Sequence, residues 1–241
     1  MLEISNITFG YKKGMNVLEN FSLSYNEPGI YGLLGKNGTG KSTLLYLMVG
    51  LLRAQHGTVT YNGISTIERR PEVLEEMFIV PEEYNIPSIM LSKFVARIRP
   101  FYPRFDETLL QKCLEAFEMP SDINLGALSM GQKKKVYMCI ALATQAPLLL
   151  MDEPTNGLDI PSKSQFRKIV ASSLREDQTL IISTHQVRDV ELLLDHVTMI
   201  DQNQLLLNCR MDELFGDNEP INLESAFNNI LEGSKNQVTT K

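Results

Sequence analysis

The sequence predicts an α/β fold, a mostly parallel sheet core with an antiparallel β subdomain and an inserted helical subdomain. Three observations predict it. The last third alternates strand and helix patterns, the first third carries period-two strands joined by turns, and the stretch between them is mostly helical. Strands that alternate with helices indicate parallel pairing, because each return to the same sheet edge needs a crossover.

The elements follow in order. Leu2, Ile4, Ile7 and Phe9 outline an opening strand, and residues 17–25 a second. Residues 30–34 form a short apolar run that ends in glycine, which suits a buried strand. A helix is predicted over 41–51, stopping near Gly57. Residues 58–61 alternate again, and Asn62-Gly63 marks a tight turn. From 89 to 143 the pattern is helical, broken by Pro100, Pro103 and Pro120. Then come strand 148–151, helix 162–174, strand 179–183, helix 187–194 and strand 197–200. Residues 1–241 therefore read as a single unit: 1–84 and 146–215 as core and β subdomain, 85–145 as helical subdomain, 216–241 as tail. The polar end, 233–241, is expected to be loose.

Composition excludes several classes. Apolar residues at 43% and charged residues at 22% describe a chain that can bury a core, not a disordered one. The longest apolar run, 136–143, is far short of the roughly 20 residues a membrane-spanning helix needs. No basic region followed by an apolar stretch opens the chain, so no secretory signal is expected. A net charge of −6 argues against a broad nucleic-acid-binding face, and no nucleic-acid partner is expected. Cys113, Cys139 and Cys209 have neither zinc nor disulfide spacing and read as reduced thiols. His56, His185 and His196 are too scattered for a metal cluster.

Residues 35–42 read Gly-Lys-Asn-Gly-Thr-Gly-Lys-Ser, which fits a phosphate loop between strand and helix. Glycines let successive N–H groups converge on one anion, and the following helix adds the positive end of its dipole. Lys41 supplies a full charge for β- and γ-phosphates, and Ser42 a hydroxyl for magnesium. Strand 148–151 runs into Asp152-Glu153-Pro154. Alone, that is a solvated turn. Beside a triphosphate, Asp152 can hold magnesium through its water shell and Glu153 can orient or deprotonate the attacking water.

With these residues the chain resembles the nucleotide-binding subunits of ATP-binding cassette (ABC) transporters, over about residues 1–215. Leu128-Ser129-Met130-Gly131-Gln132 looks like the Leu-Ser-Gly-Gly-Gln signature of that family. Tyr11 matches its adenine-stacking aromatic, Gly35, Lys36, Asn37, Gly38, Thr39, Gly40, Lys41, Ser42 and Thr43 its phosphate loop, and Asp159 in Asn-Gly-Leu-Asp its D-loop. His185 matches its switch histidine. The resemblance implies the P-loop NTPase fold of the ABC ATPases, with ATP and Mg2+ as ligands. It implies a head-to-tail dimer, in which Ser129, Gly131 and Gln132 complete the opposite chain's site. Glu153, His185 and Lys41 would then be catalytic, with Ser42, Glu82 and Asp152 at the metal. A second ATPase subunit, most simply an identical one, and an integral membrane permease are the implied partners. The implied location is cytoplasmic, peripheral on the inner face of the cell membrane.

Two positions depart from the usual pattern. Glu82 stands where the family usually has glutamine, as in a branch resembling ABC-2-type exporter ATPases, and Glu83 competes for the same role. Met130 replaces a glycine and removes backbone freedom there. Lys133-Lys134-Lys135 reads as a solvated helix face. Ile86, Ile89, Met90 and Phe94 read as subdomain core or as a permease contact. Ribosome-acting relatives carry two such domains in one chain. Cohesin-like ATPases insert long coiled coils between phosphate loop and signature, where this chain has no sustained heptads. An assembly or regulatory ATPase without transport is the third rival.

Overall fold

The computed structural model describes residues 1–83, 85–215 and 222–238. β1 (Leu2–Phe9) and β2 (Leu18–Tyr25) bury their apolar side chains in period two, as one-faced strands do. β3 (Gly29–Leu34) is buried on both faces, as a central parallel strand must be. α1 (Lys41–Met48) follows, then β4 (His56–Tyr61) and β5 (Ile64–Ser65). Asn62 and Gly63 join the last two with φ of 49° and 77°, the left-handed pair that a tight hairpin turn needs. These outer strands form an antiparallel sheet in the order β2-β1-β4-β5.

A short helix α2 (Pro71–Leu74) leads to β6 (Met77–Val80). The helical stretch then comprises α3 (Leu91–Ile98), α4 (Glu107–Ala116) and α5 (Met130–Ala143). β7 (Leu148–Asp152), α6 (Ile160–Ser173), β8 (Thr179–Thr184), β9 (His196–Asp201) and β10 (Gln204–Arg210) complete the main sheet. Its order is β10-β9-β3-β8-β7-β6, parallel except for the antiparallel β10 edge.

Two cores hold the layers together. On one face, Leu44, Leu45, Leu47 and Met48 of α1 pack with Leu33, Leu150 and Ile181 of the main sheet and with Ile4, Phe21 and Val59 of the antiparallel sheet. On the other, Val136 and Ile140 of α5 and Phe166 and Val170 of α6 pack with Leu34, Leu149, Met151 and Ile182. α1 is thus clamped between sheets, which fixes the loop that precedes it.

The structure corrects several expectations. α1 stops at Met48, not 51, because Gly50 turns to a φ of 67°, and a Cβ there would lie 2.1 Å from the Thr66 carbonyl oxygen. Residues 187–194 are not an α-helix but two 3₁₀ turns, Val187–Asp189 and Glu191–Leu193. Val187 and Val190 are both buried, and a spacing of three suits a 3₁₀ turn. α6 starts two residues early because Pro161 fits the first helical turn, where no N–H is required. β10, α7 (Met211–Phe215) and α8 (Leu223–Val238) were not anticipated. The expected loose end is helical as far as Val238, and residues 239–241 lie outside the described residues, as do 216–221 of the expected tail. α8 docks through Leu223, Phe227 and Leu231, one face at helical spacing. Ile86 is buried core, and Phe94 packs against that core.

Replacing Phe166, fully buried between α6 and the sheet, by alanine should lower stability by about 3–5 kcal/mol. Leu192→Ala, at an exposed position, should change it by less than about 0.5 kcal/mol. Urea unfolding of the two variants side by side checks the contrast.

Candidate active site

Parallel pairing brings three chain segments to one sheet edge. Leu34 is in register with Thr184, and Asp152 with Ser183, so the turns after β3, β7 and β8 emerge together. In open α/β sheets that carboxyl edge is where ligands bind. The first turn is residues 35–40. A Cβ on Gly35 would lie 2.6 Å from Thr39 Oγ1 and 2.7 Å from the Ile200 carbonyl oxygen, so only glycine fits. Gly38 and Gly40 take φ of 83° and 99°. The Thr39 hydroxyl and amide both donate to the Lys36 carbonyl, which closes the loop over the N-terminus of α1.

Lys41 is buried, and its ammonium donates to the carbonyls of Gly35 (2.8 Å) and Lys36 (3.2 Å). It lies 3.5 Å from Glu153 Oε1. Burial lowers its pKa, and the charge of Glu153 opposes that shift. Glu153 itself has a φ of 45°, a left-handed conformation that costs a residue with a side chain about 1–2 kcal/mol. Its carboxylate is held at three points. Oε1 contacts His185 Nδ1 at 2.8 Å and accepts from the His185 amide at 3.1 Å, while Oε2 accepts from the Thr184 hydroxyl at 3.0 Å.

Asp152 lies beneath. Its Oδ1 accepts from Ser183, and the nearby Ser42 hydroxyl also acts on the carboxylate. Its Oδ2 is buried without a partner. Burial raises the Asp152 pKa, against the lowering effect of Ser183 and Ser42. Tyr11, largely exposed, packs edge-on against Phe9 and shares a 3.1 Å hydroxyl bond with Thr43. Glu82 accepts from Asn156 Nδ2 at 3.0 Å.

These groups enclose a cavity of about 360 Å³. Of the expected residues, Tyr11, Asn37, Gly38, Gly40, Lys41, Ser42, Thr43, Glu82, Glu153 and His185 line it. Gly35, Lys36 and Thr39 shape the loop beside it, and Asp152 is buried and does not line it. Ser129, Gly131, Gln132 and Asp159 do not line it. Ser129 and Gln132 form a capping box at the start of α5, with mutual bonds of 3.0 and 3.3 Å. Asp159 caps α6 by accepting from the Ser162 amide at 2.9 Å, and the Ser162 bonds hold its carboxyl below the usual range.

Two neighbours were not anticipated. Asn156 lines the cavity and bonds Glu82. Lys134 is not on a solvated face: it is buried, donating to the carbonyls of Glu153 and Asn156 at 2.9 Å each. Its position four before buried Met138 and seven before buried Ala141 was the available signal. Lys135 instead lies over the Phe117 ring, 5.5 Å from its centroid.

The cavity fits a magnesium nucleotide. Among the described residues no group of three or more His, Cys, Asp or Glu is placed to hold a metal. A cation here has the Ser42 hydroxyl and the unpartnered Asp152 oxygen, and must draw further ligands from phosphate and water, which is how magnesium binds. The glycine cradle at the start of α1 supplies the converging N–H groups that phosphates need.

Known proteins carry the same pattern. The model of the ABC transporter family matches residues 18–156, more than half of the chain. The ABC transporter ATP-binding protein YtrB of Bacillus subtilis (strain 168) is 29% identical over 216 residues, covering 89% of this chain and 73% of that protein. The lantibiotic transport ATP-binding protein SrtF of Streptococcus pyogenes is 29% identical over 240 residues, covering 96% and 97%. The zinc uptake system ATP-binding protein ZurA of Listeria innocua is 28% identical over 216 residues, covering 84% and 83%. A solved ATP-binding subunit of an ABC transporter superposes with a TM-score of 0.82 at 21% identity, covering 96% of this chain and 99% of the other. Among the described residues no helix is long and apolar enough to cross a membrane. The chain belongs to the ABC transporter family, as one of its ATP-binding and ATP-hydrolysing subunits.

Proposed function

We propose that this chain powers a separate membrane permease in an exporter, by closing head to tail with a second copy of itself around two Mg-ATP molecules at the inner face of the membrane. One observation carries the reading: the cavity gathers the phosphate loop, Glu153 and His185, while Ser129, Gly131 and Gln132 of the same chain lie outside it. A second chain would bring those residues to the open side. The exporter direction is supported by Glu82 in the glutamine position.

In this reading Tyr11 stacks on adenine. Lys41 exchanges its two loop carbonyls for the β- and γ-phosphates. Bound magnesium supplies charge neutralisation at the phosphates, and Ser42, Asp152 and Glu82 hold it and its waters. Glu153 orients the attacking water and accepts its proton. His185, fixed through Nδ1 on Glu153, turns its other ring nitrogen to the γ-phosphate. The residues outside the cavity, with Asp159, act across the dimer. Residues 85–145 work as a helical subdomain that moves against the core, 1–84 with 146–215. The permease docks on the apolar groove of about 580 Å³ that Leu51, Phe78, Phe101 and Tyr102 help to line, with Leu51 and Phe101 exposed at its mouth.

Two experiments test the reading. Glu153→Gln should leave ATP binding intact, cut turnover by roughly 100-fold or more, and trap a dimer with ATP. Pulled down from native membranes in mild detergent, it should bring a polytopic membrane protein with it, and recovery of ribosomes or DNA instead would overturn the assignment to transport. Asp152→Asn tests the metal site. Because burial raises the Asp152 pKa, ionising it costs more in the folded chain than in the unfolded one. That destabilisation is present at neutral pH and fades as pH falls through the raised value. The variant should therefore melt about 2 °C or more above the wild type when ligand-free at pH 7, converge with it in acid, and lose the Mg2+-dependent part of stabilisation by ATP.

A further inference from the structure

The cavity explains every buried charge near it except Lys134. This ammonium sits on α5, the helix that begins at the capping box of Ser129, yet it does not line the cavity. It is 7% exposed. Its two bonds go to main-chain carbonyls at the two ends of one turn, Glu153 and Asn156. That turn is the strained one. Glu153 is left-handed at a φ of 45°, its carbonyl also accepts from the Asn156 amide at 3.2 Å, and Gly157 is left-handed at 78°. One end of the turn carries the carboxylate held on Thr184 and His185. The other carries the Asn156 side chain, which donates to Glu82. The start of the same helix runs beside the residue that follows the turn, since a Cβ on Gly131 would lie 3.8 Å from the Gly157 carbonyl oxygen.

Without a buried donor, the Glu153 carbonyl would keep only the Asn156 amide and the Asn156 carbonyl would lose its Lys134 bond, so a left-handed residue with a side chain would have less to hold it. The charges of Glu82, Glu153 and Asp152 act on Lys134, so the ammonium also offsets three clustered carboxylates. We propose that Lys134 is a positioning residue for ATP hydrolysis. It locks the 153–156 turn so that Glu153 stays aligned on His185, and it ties the start of α5 to the hydrolytic carboxylate of the same chain. Engagement of a chain's signature by the opposite site is thereby felt at that chain's own Glu153. This rests on the reading of Glu153 as the group that acts on water.

The test compares Lys134→Met, Lys134→Gln and Lys133→Met in the full chain, with Glu153→Gln beside them. Steady-state ATP hydrolysis is normalised to nucleotide sites titrated with a fluorescent ATP analogue. Lys134→Met should lose roughly 10- to 100-fold in kcat per titrated site, with nucleotide affinity within about twofold of wild type. Lys134→Gln keeps an N–H donor and should recover part of that loss, and it carries the comparison if the methionine variant does not fold. Lys133→Met removes the same charge one residue away and should hydrolyse at the wild-type rate. A merely structural lysine would reduce the number of titrated sites and leave kcat per site unchanged, which would overturn the proposal. So would an equal loss in Lys133→Met. If Glu153→Gln is inactive while Lys134→Met is normal, only the role of Lys134 falls. If Glu153→Gln hydrolyses normally, the reading of Glu153 falls first.

Discussion

The parallel register of β3, β8 and β7 is the constraint on which the site depends. With Leu34 opposite Thr184 and Asp152 opposite Ser183, three strands end at one level. Their turns therefore deliver Lys41, Glu153 and His185 within a few ångströms of each other from positions far apart in sequence. A one-residue slip in any strand would reverse which side chains face the cavity. The strands are buried on both faces, with α1 on one side and α5 and α6 on the other.

That placement concentrates charge in a poorly solvated space. Asp152 and Glu153 are buried, with Glu82 at the rim, and Lys41 and Lys134 are the buried cations among them. Buried charges are tolerated only when paired and hydrogen-bonded. The ligand-free protein meets this condition internally: Lys41 rests on two loop carbonyls and near Glu153, and Glu153 rests on Thr184 and His185. The Asp152 Oδ2 is the exception. Phosphate must therefore compete with protein carbonyls for Lys41, whereas the Asp152 Oδ2 has no protein partner to give up. The two halves of the ligand meet different starting states in the same cavity.

What was legible in the sequence was local physics. The glycines at 35, 38 and 40 are dictated by steric closeness and left-handed φ. Ser129 with Gln132 three residues on announces a helix start, and α5 begins at Met130 accordingly. The apolar runs of β3, β7 and β8 announce buried strands. What was not legible depends on contacts across the chain. The edge strand β10 is only half buried and lacks a clear period, so its pairing with β9 decides its conformation. The turns at 187–193 need the packing of two valines to favour 3₁₀ over α geometry. Lys134 lies in a run of three lysines whose composition suggests solvent, and only the distant turn at 153–156 covers it.

The same local chemistry bears on Met130, the side chain that stands where the family usually has glycine. At a helix start the first N–H groups lack intrahelical acceptors. In α5 the capping box satisfies the amides of Ser129 and Gln132, and the Lys133 amide bonds the Ser129 carbonyl. The amides of Met130 and Gly131 lie between them without an intrahelical acceptor, at the positive end of a 14-residue helix. A phosphate from the opposite chain of the proposed dimer would be bound by those two main-chain donors, which do not depend on the side chain at 130. The Met130 side chain is 62% exposed, so it is not buried against its own chain. Replacing glycine there leaves both main-chain donors in place and adds an exposed apolar group beside them.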